Sequence, residues 1–436
     1  IRSTVDDFQI ITFSRDYYKN PPQESYALID PPNSDKIFYS TFQNWSDIAN
    51  WYSHIIENKL QQTYELKKLV DSLTRGIDSE QEKVLKIHEY ITSAIRYSYI
   101  PFRQSAWIPQ SAGDVLATKI GDCKDMSSLG KSLLDYAGIK SHLVLVNTRD
   151  RNSIFPSYIG PNFNHCILSY IINGKIQYID LTDNTIVLNK LPRIDQGALA
   201  LVIKRDNNRL IHLPIDNSSK RAIFRRIYSK IDTNGTLTRL VKTVKTGVFA
   251  SNMRASYRYL SESEQKKMLK QVLVESFPNV SVDTMSLINL NSLNDSLEYI
   301  YKFTAKNAVK FSKNTSLLAL NNPDIINGSD YPNEENRSYT IDMTHTWFGI
   351  GNYEIQGKLN FPDTWQLINL PEKDSLSANG GRYFLSFKQE GSEIRYIRKA
   401  SFNFTDPISV FESIKLRNFL SKITQADNIQ LMFYSK

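Results

Sequence analysis

The feature that most constrains this chain is a switch of hydrophobic period at Gly138. From Trp45 to Gly138 apolar residues recur at helical spacing. Ile48, Trp51, Tyr52, Ile55 and Ile56 follow Ser46 as the expected N-cap, and Val84, Leu85, Ile87 and Ile91 follow Asp78 or Ser79. After Gly138 the pattern alternates, predicting strands over 141–148, 163–171, 175–180 and 198–203. Helices first and antiparallel strands second are the signature of an α+β core.

That core occupies only part of the 436 residues, and at roughly 150 residues per domain the length suggests about three units. Strands are expected over 8–15, 25–30 and 35–42, so residues 1–44 read as the tail of a truncated N-terminal β-rich domain. Residues 45–205 are the core. Residues 206–436 read as a C-terminal β-rich module with short helices, either one unit or two subdomains. Within it an Asn234-Gly235 turn, a helix over 261–276 capped by Ser261 or Ser263, strands over 338–348 and 382–404, a short helix over 410–420 and a last strand over 429–435 are expected.

Hydrophobic residues at 41% and charged residues at 22% exclude wholesale disorder. The net charge of +8 is too dilute to indicate nucleic-acid binding. Its densest part, 204–245, carries eleven Lys and Arg against three Asp and reads as a solvated strand face, with an acidic partner as the alternative. Two cysteines allow at most one bridge and do not reveal a compartment. No stretch has the apolar length of a membrane span. The sequence opens IRSTVDD, without Met or an apolar leader, as expected of a fragment or processed form.

The chemistry concentrates at Gly121-Asp122-Cys123-Lys124-Asp125. Met126, Leu129, Leu133, Leu134 and Ala137 follow on one helical face, so Cys123 falls at a helix N-terminus, where free N–H groups and the dipole favour a thiolate. Gly121 is read as leaving room for a substrate backbone. Asn173-Gly174 is a strong hairpin signal, and a two-residue type I′ loop pairs Ile172 with Lys175. In that register His165 and Asp180 are diagonal neighbours on one face, while Cys166 points to the other. A helix-terminal Cys, a His and an Asp are the nucleophile, base and orienter of thiol acyl transfer. Zinc binding by Cys123, His165, Cys166, Asp122 or Asp125 is the weaker reading, because no C-x₂-C or H-x₃-H spacing is present. No cofactor motif is seen.

At these residues the chain resembles the transglutaminase-like superfamily of papain-related cysteine enzymes, in particular bacterial multidomain proteins with a β-rich domain ahead of the transglutaminase core. Pro109, Ala112, Val115 and Leu116 ahead of GDCKD, FNHCI at 163–167 and YIDLTD at 178–183 carry the likeness. The resemblance implies Cys123 as nucleophile, His165 as general base and acid, and Asp180 as orienter. It implies a second oxyanion donor upstream of the Cys, Trp107 or Gln104, beside the Cys123 N–H. It also implies a peptide or protein substrate and a periplasmic or extracytoplasmic setting. Hydrolysis is expected over transamidation, since nothing marks a dry channel for an amine; the alternative is a catalytically silent binding or scaffold protein on the same fold.

Overall fold

The computed structural model describes residues 2–5, 8–14, 24–27, 37–98, 107–150, 158–204, 208, 210–217, 220–293, 296–344 and 346–435. Its first strands, β1 (Arg2–Val5) and β2 (Phe8–Ile11), form an antiparallel hairpin. The strands expected over 25–30 and 35–42 do not form among the described residues. Ala27 makes a single bridge to Ile341, and residues 37–40 join no strand among the described residues; instead Phe38 packs its ring 4.7 Å from that of Tyr158, whose hydroxyl donates to the Tyr39 carbonyl at 3.0 Å. Ile37, Phe38 and Tyr39 lie exposed, so no sheet face holds them.

Helices then follow as expected: α1 (Trp45–Ile56), α2 (Tyr64–Leu73), α3 (Glu80–Ala94), α4 (Ala112–Thr118) and α5 (Cys123–Tyr136). Ser79 caps α3, but α1 starts ahead of Ser46. Asn44 accepts from the Asp47 N–H at 3.0 Å while Asp47 Oδ2 accepts from the Asn44 N–H at 3.1 Å. This reciprocal box satisfies two donors, which Ser46 alone would not. Between α3 and α5 two short strands, β3 (Arg96–Tyr97) and β4 (Ile120–Gly121), pair in parallel and fix the chain just ahead of Cys123.

Five antiparallel strands back the helices: β5 (Ser141–Asn147), β6 (His165–Ile172), β7 (Lys175–Ile179), β8 (Leu199–Val202) and β9 (Leu210–His212), in the spatial order β7-β6-β5-β8-β9. The β6–β7 hairpin has the expected register, Ile172 opposite Lys175, with Asn173 at φ 51° and Gly174 at φ 73°, as a type I′ turn requires. One sheet face buries Leu143, Leu145, Cys166 and Leu168 beneath α5; the other buries Val144, Val146 and Ile167 with Ala198 and Leu213. The sheet therefore runs on to His212. Gly130 lets α5 lie directly on it, because a Cβ there would sit 2.4 Å from Leu181 Cδ1 and 2.7 Å from Leu168 Cδ1.

The remainder is a β-rich module. Strands β10 (Ala222–Ile231) and β11 (Leu237–Thr246) lead into α6 (Val248–Tyr257) and α7 (Glu262–Ser276), the latter with the Ser261–Glu264 capping box. Then come β12 (Val280–Ile288), β13 (Ser296–Ala305), β14 (Val309–Ser312), β15 (Thr315–Ala319), β16 (Ile350–Asn360), β17 (Trp365–Asn369), β18 (Asp374–Ala378), β19 (Gly381–Glu390), β20 (Glu393–Asn403), α8 (Val410–Asp427) and β21 (Gln430–Ser435). They make an eight-stranded sheet, β12-β13-β11-β10-β16-β20-β19-β18, and a four-stranded one, β14-β15-β21-β17, joined by one hydrophobic cluster.

Two expectations fail here. No strand forms over 338–348 among the described residues, because Asp342 Oδ1 accepts from the Thr344 N–H at 2.9 Å and turns the chain, leaving Ile341 with two isolated bridges, to Ala27 and Ile408. The basic stretch is not simply a solvated face. Arg221, Arg225 and Arg239 are buried, with Arg225 donating to Thr243 Oγ1 at 2.9 Å and to Asp324 Oδ2 at 2.7 Å, and Arg239 to Ser229 Oγ at 3.0 Å. Strand alternation sends these side chains inward, where neutral and acidic acceptors meet them.

Candidate active site

Cys123 is the first residue of α5 because Asp122 and Asp125 cap the helix reciprocally. Asp122 accepts from the Asp125 N–H at 3.3 Å, and Asp125 Oδ2 accepts from the Asp122 N–H at 3.1 Å. Asp125 is fully enclosed and also accepts from the Gln110 N–H at 2.7 Å and from Gln110 Nε2 at 2.9 Å. The irregular segment leading to α4 is thereby locked to the helix that presents the thiol. Gly121 serves this packing: a Cβ there would meet Asp125 Cβ at 2.8 Å. Lys124 pairs with Asp122.

One helical turn below Cys123, on the same face, Ser127 donates to the Cys166 carbonyl at 3.0 Å. That contact sets α5 against the start of β6, and the Cys123 thiol lies near enough to the His165 imidazole to help raise its pKa. His165 Nε2 lies 3.0 Å from Asp180 Oδ2. Asp180 Oδ1 accepts from the Thr182 N–H at 2.8 Å and Oγ at 2.7 Å, which fixes the carboxylate's rotation. Cys123 and His165 are both partly open to solvent, the His165 side chain at 12%, while Asp180 is buried at 3%.

The electrostatics follow from this enclosure. Burial opposes charge on His165, but the Asp180 charge and hydrogen bond, with the nearby Cys123 thiol, outweigh it and hold the imidazole pKa well above 6.5. Burial likewise pushes Asp180 up, and His165 and Thr182 reverse that to leave it below the usual carboxylate value. Cys166 is buried and its thiol is pushed well up by burial; both cysteines are free.

Of the residues singled out from sequence, Cys123, His165 and Asp180 come together. Trp107 is half-buried, with its ring 5.8 Å from Trp51 and 6.3 Å from Tyr52, and Gln104 lies outside the described residues. Of the zinc candidates Cys123, His165, Cys166, Asp122 and Asp125, only His165 belongs to the cluster with ligand-like spacing among the described residues, which it forms with Asp180 and Asp195. Sequence reading missed three neighbours. Gln110 carried no signal beyond its place between Pro109 and the α4 cap. Tyr52 belongs to the apolar stripe of α1, yet its pKa is raised first by burial and then by Cys166, Cys123 and Asp122. Asp195 sits in a turn far along the chain.

The site loop after β7 is also clamped by the C-terminal module. Thr185 Oγ1 and Ser251 Oγ of α6 are 2.7 Å apart, and Arg258 Nη1 donates to the Asn184 carbonyl at 2.7 Å. Arg149, just past β5, pairs with Asp342, and Arg221 bonds the side chain of Gln196.

Residues 67–180, about a quarter of the chain, match the family model of the transglutaminase-like superfamily core. The match contains Cys123 and His165 and ends on Asp180. A solved structure from Parabacteroides distasonis ATCC 8503, provisionally described as a protease, is similar over 99% of this chain and 67% of its own, at 15% identity and a TM-score of 0.52. The likeness shows a shared fold that includes the β-rich module. A second, from Cytophaga hutchinsonii and provisionally described as a cysteine protease, covers 37% of this chain and 57% of its own at 20% identity, with a TM-score of 0.25. No curated protein matches the chain.

Proposed function

We propose that this transglutaminase-like core is a thiol-dependent hydrolase of amide or peptide bonds, with Cys123 as nucleophile, His165 as base and acid, and Asp180 as orienter. The observation that carries the reading is one largely enclosed imidazole, close on one side to a helix-terminal thiol and bonded on the other, at 3.0 Å, to a carboxylate.

The steps follow from the geometry. His165 takes the thiol proton, and the Cys123 sulfur attacks the carbonyl carbon. The oxyanion that forms is met by the N–H groups opening α5, which have no partner within the helix. The imidazolium then gives its proton to the leaving amine as the C–N bond breaks, leaving a thioester. Water, deprotonated by His165, attacks the thioester and releases the acid and the thiol. Asp180 keeps one nitrogen of the ring occupied throughout, so the other faces sulfur. The 45–205 core is proposed to hold this machinery, with the flanking β-rich parts shaping access to it.

Incubation with an unbiased peptide library in the presence of a primary amine tests the reading. New carboxyl termini together with a mass adduct on Cys123 are expected. Amine-capped products without hydrolysis would make the protein a transamidase instead, and a folded protein that neither cleaves nor acylates would make it a scaffold.

A further inference from the structure

Asp195 lies fifteen residues past the end of the family match, in the turn before β8, and its carboxyl is completely enclosed. Among the described residues neither of its oxygens accepts a hydrogen bond. Oδ2 stands 3.9 Å from His165 Nε2, and the polar atoms of His165, Asp180 and Asp195 all lie within 4.8 Å of one another.

The groups that face it make an anion costly. His165 comes from β6, and Asp180 and Asp183 from the segment after β7. His88 on α3 faces Asp180 and is kept neutral by burial, its pKa lowered to about 4. The nearby guanidinium groups of Arg149 and Arg221 are engaged elsewhere, with Asp342 and Gln196. An ionised Asp195 would thus put a second carboxylate beside Asp180, closed to solvent, with a single imidazolium between two anions. Burial and Asp180 push its pKa well above the carboxylate range.

We propose that Asp195 is a positioning residue of the triad: as a neutral carboxylic acid it donates its hydroxyl hydrogen to Asp180 and so steadies the carboxylate that orients His165. One proton is then shared by two carboxyl groups, and one negative charge faces one imidazolium. Asp180 Oδ1 is already taken by the two Thr182 donors and Oδ2 by His165, so the Asp195 hydroxyl completes its hydrogen bonding. The same bond draws density from Asp180 and tempers its hold on the His165 proton, which must pass to the leaving amine. The inference rests on the triad reading above.

Difference infrared spectroscopy of the full chain at neutral pH reads the acid directly. The carbonyl stretch of a buried neutral carboxylic acid is expected in the wild type and should vanish in Asp195→Asn. Its absence from the wild type overturns the proposal. In pH–rate profiles, Asp195→Leu, which has no donor, should lower kcat by about tenfold to a hundredfold, the worth of one hydrogen bond to a charged group. Its alkaline limb should move to higher pH, because an unrestrained Asp180 holds the imidazolium proton more tightly. Asp195→Asn keeps a donor, so its loss should be smaller and its limb unmoved. A limb displaced to lower pH in Asp195→Asn would show that a negative charge had been removed, and would overturn the proposal. So would a stoichiometric divalent cation retained by the wild type through dialysis and lost in Asp195→Asn. If neither variant folds, the pH titration of the wild-type infrared band decides. A neutral-acid band in a protein without turnover would sink the catalytic reading alone, whereas turnover without that band would sink only this one.

Discussion

Replacing Asp180 by Asn keeps the shape of the site and removes its one fixed charge on His165. The Asn carbonyl can still accept from Thr182, which at 2.8 and 2.7 Å holds the present Oδ1. Its NH₂ then points at His165 Nε2 and forces that nitrogen to accept. The ring proton must move to the nitrogen that meets Cys123, and His165 can no longer take the thiol proton. The pair is 3.0 Å apart and its side chains are 12% and 3% exposed, so solvent screens it little. Breaking such a buried charge pair costs about 3–5 kcal/mol. That is a cost in stability; turnover should fall separately by roughly four orders of magnitude, because the wrong tautomer disables the base. The stability change is pH-dependent in a defined window. Asp180, with a lowered pKa, contributes above its unfolded value and loses that contribution as pH falls through the folded one. His165, with a raised pKa, contributes fully below its unfolded value and loses it as pH rises through the folded one. The Tm gap between wild type and variant should therefore be widest between about pH 4 and pH 6.5. Peptide turnover, the alkylation rate of Cys123 in mild acid, and thermal melts across pH measure all three. A folded Asp180→Asn protein with wild-type turnover would refute the reasoning.

Iodoacetamide followed by peptide mass spectrometry should label Cys123 well before Cys166, since Cys166 is 2% exposed and burial raises its thiol pKa; equal labelling of the folded protein would count against the assignment. Gly130→Ala should destabilise by about 0.5–2 kcal/mol, as overpacking against Leu181 and Leu168 exceeds the gain in helix propensity, and a denaturant melt showing equal or greater stability would disprove it. His88, buried with its pKa lowered to about 4, contributes stability that is complete above its unfolded pKa of about 6.5 and is lost as pH falls toward 4, by up to about 3 kcal/mol; His88→Gln melts should show a shallower acid slope over that range, and an unchanged slope would reject the role.

Much of the site was legible in the sequence because its signals are local. The Gly121–Asp125 run, the apolar face from Met126 to Ala137 and the Asn173-Gly174 turn are each fixed by residues a few positions apart, and together they set the helix start at Cys123 and the register that pairs His165 with Asp180. Where two local signals competed, the stronger reciprocal one won, as Asn44 with Asp47 did over Ser46. Segments whose strand character depended on a distant partner could not be read. Residues 37–40 have the aromatic and β-branched composition of a strand but join no sheet, and the inward Arg221, Arg225 and Arg239 look like a solvated face until Gln196, Asp324 and Ser229 meet them. Asp195 is the clearest case. Nothing in its neighbours distinguishes it from an ordinary turn residue, and only the fold brings it to His165 and Asp180. The sequence by itself determined the helices, the hairpin and the nucleophile's place, because hydrogen bonds between near neighbours decide them. The tertiary structure alone decided which charges are buried together, because burial and Coulomb interaction depend on distance through space and not along the chain.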